Sequence, residues 1–272
     1  MLSAAGIESA ELEASLLLAE ACGVERSAIL AGKICLTLDQ VAVFKAMLRR
    51  RAAREPIAYI LRHKEFFSLE FFVSPAVLIP RPETELLVEA ALRWSGERAV
   101  DEILDLGTGS GAIAIALAVH LPKVHIVGVD ISTEALALAR RNAMRHGVLD
   151  RIDFVAGDLW KALEQQKYSG LLFNIIVSNP PYVPEDQFEE LAPEIKNYEP
   201  KIALLGGPDG LFYHRRIAYG AKQRLVPGGL LLLEVGQGQA ERVAQICLDA
   251  GARKVERLKD LAGIERVVSA QF

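Results

Sequence analysis

Apolar and polar positions along this chain follow two different periods. Up to about residue 64 the spacing is helical. Leu12, Leu16, Leu17 and Ala19 to Ala21 form a wide apolar stripe behind Ser9, a residue suited to capping a helix start. Val41, Phe44 and Leu48 form a second stripe, with Asp39 as its predicted cap. That helix runs into Arg49, Arg50, Arg51 and Arg54. Cations near a helix C-terminus complement its dipole, so the run reads first as a solvated helix end. A docking surface for an acidic or RNA-associated partner is the second reading.

Residues 65–82 change the pattern. Aromatic and β-branched residues with Ser-Pro punctuation predict a short hairpin that links two domains. Beyond it, helical stretches (83–94, 110–120, 132–146, 210–224 and 238–250) alternate with strand-like runs. Those runs are 102–106, 124–130, 152–156, 173–178, 229–235, 253–258 and 265–270. Such alternation predicts an α/β fold, a largely parallel sheet with helices on both faces. The last two runs are joined only by a loop, so the sheet should end in an antiparallel strand. The expected organisation is a helical domain over 1–64, a linker over 65–82 and a second domain over 83–272.

Composition narrows the function classes. The 272 residues carry a formal net charge of -4, with nine basic and nine acidic side chains up to residue 75. Neither part is a basic module, which argues against binding to DNA or RNA through a positive surface. Cys22, Cys35 and Cys247 lie far apart and form no disulfide framework or Cys-x-x-Cys pair. The five histidines show no metal-ligand spacing, so no metal is expected. The N-terminus lacks a basic signal-peptide region, and apolar runs such as Ala112–Val119 are too short to span a bilayer. These features fit a cytoplasmic protein with reduced thiols and no membrane contact.

The run Asp105-Leu106-Gly107-Thr108-Gly109-Ser110-Gly111 joins a strand end to a helix start. Its glycines allow close approach of a ligand to the backbone. Asp130 ends the next strand, where an acid can bond two ribose hydroxyls. Together these indicate a nucleotide-like cofactor, and the glycine spacing alone also suits a dehydrogenase. Asp105 separates the two. A carboxylate beside the glycines repels a pyrophosphate and attracts the ammonium and sulfonium of S-adenosyl-L-methionine. Asp158, after the third strand, can accept from an adenine amino group, with Leu159 or Trp160 over the ring face.

The fourth strand ends in Asn179-Pro180-Pro181-Tyr182, at the side of an α/β sheet where ligands bind. This tetrapeptide suits a planar nitrogen. The Asn179 side-chain carbonyl and the Pro180 backbone carbonyl can each accept one N–H, and Tyr182 can stack on the planar group. Held so, the nitrogen lies in line with an electrophilic methyl.

With these residues in view, the chain resembles the HemK/PrmC family, the protein-(glutamine-N5) methyltransferases that modify peptide chain release factors. The likeness also rests on Glu55-Pro56-Ile57-Ala58-Tyr59, on Ile79-Pro80-Arg81-Pro82-Glu83-Thr84-Glu85, on Gly206-Gly207-Pro208-Asp209-Gly210 and on Asp260-Leu261-Ala262-Gly263-Ile264-Glu265-Arg266. Relative to the family pattern, this chain starts close to Ala5-Gly6-Ile7-Glu8-Ser9, where members carry a further helix, and has a longer loop over 165–172. The resemblance implies a Rossmann-like class I S-adenosylmethionine-dependent methyltransferase sheet, with a small N-terminal helical domain joined by a β-hairpin linker. It implies that Asp105, Gly107, Thr108, Gly109, Ser110, Gly111, Asp130, Asp158, Trp160 and Asn179 bind the cofactor. It further implies that Asn179, Pro180, Pro181 and Tyr182 hold the glutamine of a Gly-Gly-Gln loop in a class 1 peptide chain release factor. Asn179, Pro180 and Tyr182 are the expected catalytic residues. The helical domain would help bind that partner, and Arg81, Glu83 and Thr84 would shape the cleft or brace the linker. A monomer without direct nucleic-acid contact is expected. The competing readings are an adenine-N6 or guanine-N2 nucleic-acid methyltransferase and a cofactor-binding module without catalysis.

Overall fold

The computed structural model describes residues 1–32 and 34–272. It divides into two compact units, Met1–His63 with Leu191–Glu199, and Lys64–Glu190 with Pro200–Phe272.

The first unit is helical, with helices Ala10–Cys22, Arg26–Leu30, Leu38–Ala52, Ile57–Leu61 and Pro193–Tyr198. The long helix Leu38–Ala52 is capped by Thr37, not by Asp39. The Thr37 hydroxyl accepts from the Gln40 amide, and the Gln40 side chain returns a bond to the Thr37 amide. This reciprocal box satisfies two otherwise orphaned donors, so it outcompetes a cap two residues later. Asp39 falls in the first turn, still at the favourable end of the dipole. Arg51 corrects the reading of the arginine run. It is 6% exposed and pairs with Glu13 at 2.5 Å and Glu194 at 3.0 Å. Arg54 also bonds Glu194, and the Tyr198 hydroxyl donates to the Ala53 carbonyl. A guanidinium with five donors can bridge carboxylates from two segments, and here it ties 191–199 to the helices. The sequence pattern places that segment in the second domain.

A two-stranded hairpin follows in sequence, β1 (His63–Phe66) and β2 (Leu69–Phe72). Its turn residues Phe67 and Ser68 both have positive φ, which matches the twist of a tight hairpin. Among the described residues seven further strands form one sheet: β3 (Glu102–Leu106), β4 (His125–Asp130), β5 (Ile152–Ala156), β6 (Phe173–Ser178), β7 (Leu225–Glu234), β8 (Lys254–Lys259) and β9 (Glu265–Gln271). Their order is β5-β4-β3-β6-β7-β9-β8. Strands β3 to β7 pair in parallel, and β9 runs antiparallel between β7 and β8. The last strand is thus antiparallel but interior, with β8 at the edge. Insertion gives β9 two ladders, and Val267, Val268 and Ala270 are fully buried there.

Buried strands show period two toward different faces. Ile175 and Val177 of β6, with Leu230 and Leu232 of β7, pack in one cluster with helices Glu85–Ser95, Ala112–His120 and Thr133–Arg145. Ile176, Leu231 and Leu233 pack in the other, with helices Phe212–Ala221 and Ala240–Asp249. Each fully buried aliphatic side chain contributes about 1.5–3 kcal/mol. The Ala112–His120 helix is apolar all round because both its neighbours and the sheet cover it. Among the described residues no helix is long and apolar enough to cross a membrane.

Candidate active site

Strands β3 and β6 are neighbours, yet the chain leaves them in opposite directions along the sheet. A crevice opens at such a switch point beyond the strand C-termini. The Ser178 hydroxyl donates to the Leu106 carbonyl at 2.6 Å and locks the two strand ends together. The glycine loop follows β3, and Asn179-Pro180-Pro181 follows β6. Both line one cavity, joined by Thr84, Asp130, Ile131, Asp158, Leu159 and Tyr213.

Asp130 organises the loop before any ligand is considered. Its Oδ2 accepts from the Gly109 amide at 2.8 Å, and its Oδ1 accepts from the Ser132 amide at 2.9 Å. Burial raises its pKa against these stabilising bonds. The carboxylate, with room for about four acceptor bonds, keeps capacity for a ribose hydroxyl. Gly107 and Gly109 have positive φ, and a Cβ on Gly107 would meet nothing within 4 Å. The loop therefore presents bare backbone to the cavity, which a ligand can approach closely.

Gly111 has a different job from the one its motif suggests. It does not line the cavity. A Cβ there would lie 2.8 Å from Ile115 Cδ1 and 3.2 Å from Ala139 Cβ, so this glycine lets two helices pack. Asp105 also lies off the cavity wall. It is fully buried beneath the loop and accepts a 2.7 Å bond from the Thr108 hydroxyl. Burial pushes its pKa up to about 7, with Thr108 opposing and Asp130 adding to the rise.

The predicted aromatic cover is rearranged. Trp160 does not line the cavity. Its Nε1 donates to the Arg216 carbonyl at 2.8 Å, and its indole sits against Gly220, where no side chain would fit. Leu159, with φ of 50°, lines the cavity in its place. The left-handed backbone at Leu159 sends consecutive side chains to different surroundings, which sequence spacing alone does not reveal. Asp158 lines the cavity while Arg216 bonds both its oxygens, at 2.9 and 2.8 Å. That pairing holds its carboxyl below the usual range.

Asn179 donates from Nδ2 to Thr84 Oγ1 at 3.1 Å. Asn179 lines the cavity, and with Nδ2 engaged by Thr84 its Oδ1 is the side-chain acceptor. Tyr182 stands behind the wall, its backbone carbonyl accepting from Gln239 and its ring beside Gly236. Burial pushes its phenol up to about 12, with Glu234 adding to the rise. Sequence reading did not single out Ile131, Tyr213 or Glu234. Ile131 had a signal, since it directly follows the acidic end of β4. Tyr213 and Glu234 had none.

The residues present fit S-adenosylmethionine: open glycine backbone, a fixed acid at the end of β4, and apolar walls at Ile113, Ile131 and Leu159. The pattern can hold a nucleoside, exclude water around its base and present two carbonyl acceptors to an amide or amine.

Comparisons with known proteins agree in two parts of the chain. Residues 98–252 match a family described as a methyltransferase domain, and residues 1–61 match the PrmC N-terminal domain. The chain is 44% identical over 268 residues to the release factor glutamine methyltransferase of Geobacter sulfurreducens, covering 98% of this chain and 91% of that protein. It is 39% identical to the protein of that name from Caulobacter vibrioides, covering 97% and 90%. Among solved structures, the hMettl16 catalytic domain in complex with a 3′UTR hairpin aligns with a TM-score of 0.62 at 16% identity, covering 81% of each chain. A Pyrococcus furiosus methyltransferase aligns with a TM-score of 0.54 at 18% identity, covering 84% and 96%. At such identities the structural likeness establishes the class I methyltransferase fold alone.

Proposed function

Because the chain belongs to the release factor glutamine methyltransferase family, we propose that it methylates the Gly-Gly-Gln glutamine of a class 1 peptide chain release factor. The acceptor atom is the side-chain amide nitrogen, N5, and the donor is S-adenosylmethionine. The observation that carries this reading is Asn179 at the end of β6, lining the cavity beside the glycine loop with its Nδ2 bonded to Thr84, which leaves its Oδ1 as the acceptor for a substrate N–H.

An amide nitrogen is a poor nucleophile because its lone pair is delocalised. Asn179 Oδ1 and the Pro180 carbonyl accept one N–H each and hold the nitrogen still. Positioning of this kind supplies most of the rate in a bimolecular transfer. As positive charge grows on nitrogen, both acceptor bonds strengthen, which is selective stabilisation of the transition state. The cofactor supplies an electrophilic methyl on a sulfonium. The N–CH3 bond forms as the S–CH3 bond breaks, and the acidic nitrogen then releases its proton to water. Asp130 and the loop amides orient the nucleoside, and Asp158 with Leu159 borders the base. The helical unit helps to dock the release factor. The protein acts as a monomer in the cytoplasm, where its substrate works.

Transfer of tritium from methyl-labelled S-adenosylmethionine tests the substrate class. Label in purified, unmethylated release factor supports the proposal. Label in DNA or RNA, with none in the release factor, overturns it in favour of a base-directed enzyme.

A further inference from the structure

The segment Gly206-Gly207-Pro208-Asp209-Gly210 and the turn after β7 converge on the main chain that follows Asn179. The Val183 amide donates to the Leu204 carbonyl at 2.9 Å, and its carbonyl accepts from the Gly206 amide at 2.8 Å. A Cβ on Gly206 would lie 2.7 Å from the Pro181 carbonyl oxygen and 2.8 Å from Tyr182 Cα. A Cβ on Gly210 would overlap the Tyr182 carbonyl oxygen and lie 2.6 Å from Gln239 Nε2. At both positions another chain segment fills the space that a side chain would need.

Gln239 reaches the same peptide from the turn between β7 and helix Ala240–Asp249. It is 8% exposed. Its Oε1 accepts from the Gly236 amide at 3.0 Å, and its Nε2 donates to the Tyr182 carbonyl at 2.9 Å. Both partners are main-chain groups of fixed polarity, since an N–H only donates and a carbonyl only accepts. The side-chain amide therefore has one way round, and that way holds the Tyr182 carbonyl.

The hold reaches back toward the cavity. Proline rings fix φ near about −65°, so Pro180 and Pro181 leave few free torsions between Asn179 and Tyr182. At the near end, the Ser178 hydroxyl fastens the chain to the Leu106 carbonyl. At the far end, Gln239 and the two glycines fasten Tyr182. A short, stiff run held at both ends has its carbonyl directions set. Pro180 and Pro181 line the cavity, whereas Tyr182 and Gln239 lie behind it.

We infer that Gln239 is a positioning residue, which together with the close-packed Gly206 and Gly210 sets the direction of the Pro180 carbonyl. The inference rests on the proposed amide-methylating function, in which that carbonyl is the second acceptor. It also gives the Gly206–Gly210 segment a role in the site, although neither glycine lines the cavity.

The test uses the full chain with unmethylated class 1 release factor and S-adenosylmethionine. Steady-state kcat and KM, with cofactor Kd by calorimetry, are measured for wild type, Gln239→Met, Gly210→Ala and Gly238→Ala. Gln239→Met keeps the length of the side chain and loses both amide bonds. Its kcat should fall about tenfold or more, with cofactor Kd within about twofold of wild type. A Gln239 that only braced its turn would cost stability and spare kcat. The two glycine variants read the same contact independently. Gly210 and Gly238 both have left-handed φ, 72° and 81°, so alanine strains the backbone at each. Only at Gly210 does the added methyl press on Tyr182, for a Cβ on Gly238 meets nothing within 4 Å. Gly210→Ala should lose about tenfold or more in kcat, and Gly238→Ala should stay within about twofold. Normal kcat in Gln239→Met, equal kcat in the two glycine variants, or a loss confined to cofactor Kd overturns the positioning role and leaves the proposed function intact. A wild-type protein that methylates no release factor overturns the function, and this inference with it.

Discussion

Asp105 lies beneath the glycine loop and accepts a 2.7 Å hydrogen bond from the hydroxyl of Thr108, a residue that lines the cavity. The carboxyl is thus coupled to the site without touching its surface. With its pKa raised to about 7 by burial, it changes charge where a cationic ligand would feel it. A cation favours the ionised form, so affinity for S-adenosylmethionine should weaken as the pH falls from 8 to 6. Asp105→Asn should weaken binding about tenfold at pH 8 and flatten the dependence. Calorimetry over that range checks both. Equal pH slopes in the two proteins would remove Asp105 from cofactor recognition.

The glycines of one motif should respond differently to the same change. Gly111→Ala forces a Cβ to within 2.8 Å of Ile115 at a φ of 82°. Overpacking and left-handed strain should lower stability by about 2–4 kcal/mol. Gly109→Ala meets no crowded neighbour but adds a methyl to the ligand-facing loop at a φ of 55°. It should cost cofactor affinity more than fold stability. Urea unfolding paired with ligand titration separates the two, and a reversal of that pattern would contradict the assignment.

Trp160 is a buttress for the Phe212–Ala221 helix in this structure. Trp160→Phe loses the bond to the Arg216 carbonyl and leaves a void against Gly220. We expect a loss of about 1–3 kcal/mol in stability with cofactor affinity nearly unchanged. A tenfold loss of affinity in a variant of normal stability would restore the ring-stacking role suggested by the sequence.

His214 is fully buried, and its Nε2 bonds the Glu234 carbonyl. Burial pushes its pKa down to about 4 from the ordinary 6.5. On acidification the unfolded chain takes up this proton first, so the stability His214 contributes above 6.5 is lost on the way down to 4. The buried acids act in the opposite sense. Asp105 and Glu234, raised to about 7, favour the fold most at low pH and lose that contribution as the pH rises through about 7. The stability gap between wild type and His214→Asn should therefore shrink by about 2 kcal/mol from pH 7 to pH 5. Chemical denaturation at the two pH values measures it, and a constant gap would show that the ring is not buried neutral.

Much of this arrangement was legible from one-dimensional patterns. The boundaries of β3, β5 and β6 follow directly from apolar runs ended by Gly or Pro. The position of Asn179 at a strand end, facing the glycine loop, followed from parallel-sheet topology. What stayed hidden depends on side-chain direction or on contacts distant in sequence. Thr37 captured the cap from Asp39 because Gln40 completes the box. Arg51 looked like a solvated cation, but Glu13 and Glu194 reach it from 38 and 143 positions away. Of the two candidates for the base face, Leu159 lines the cavity and Trp160 turns to the Phe212–Ala221 helix instead, a choice made at one left-handed residue. The Asn179–Thr84 bond joins residues 95 positions apart, so no local pattern could announce it.

The most direct test of the central claim is mass spectrometry of the Gly-Gly-Gln peptide from an unmethylated class 1 release factor, after incubation with this protein and S-adenosylmethionine. Asn179→Ala, which removes the oriented acceptor, serves as the paired control. A single added methyl on that glutamine with wild type, and at least a hundredfold less with the variant at unchanged cofactor affinity, is the predicted result. An unmodified glutamine with wild type, or equal modification by both proteins, would contradict it.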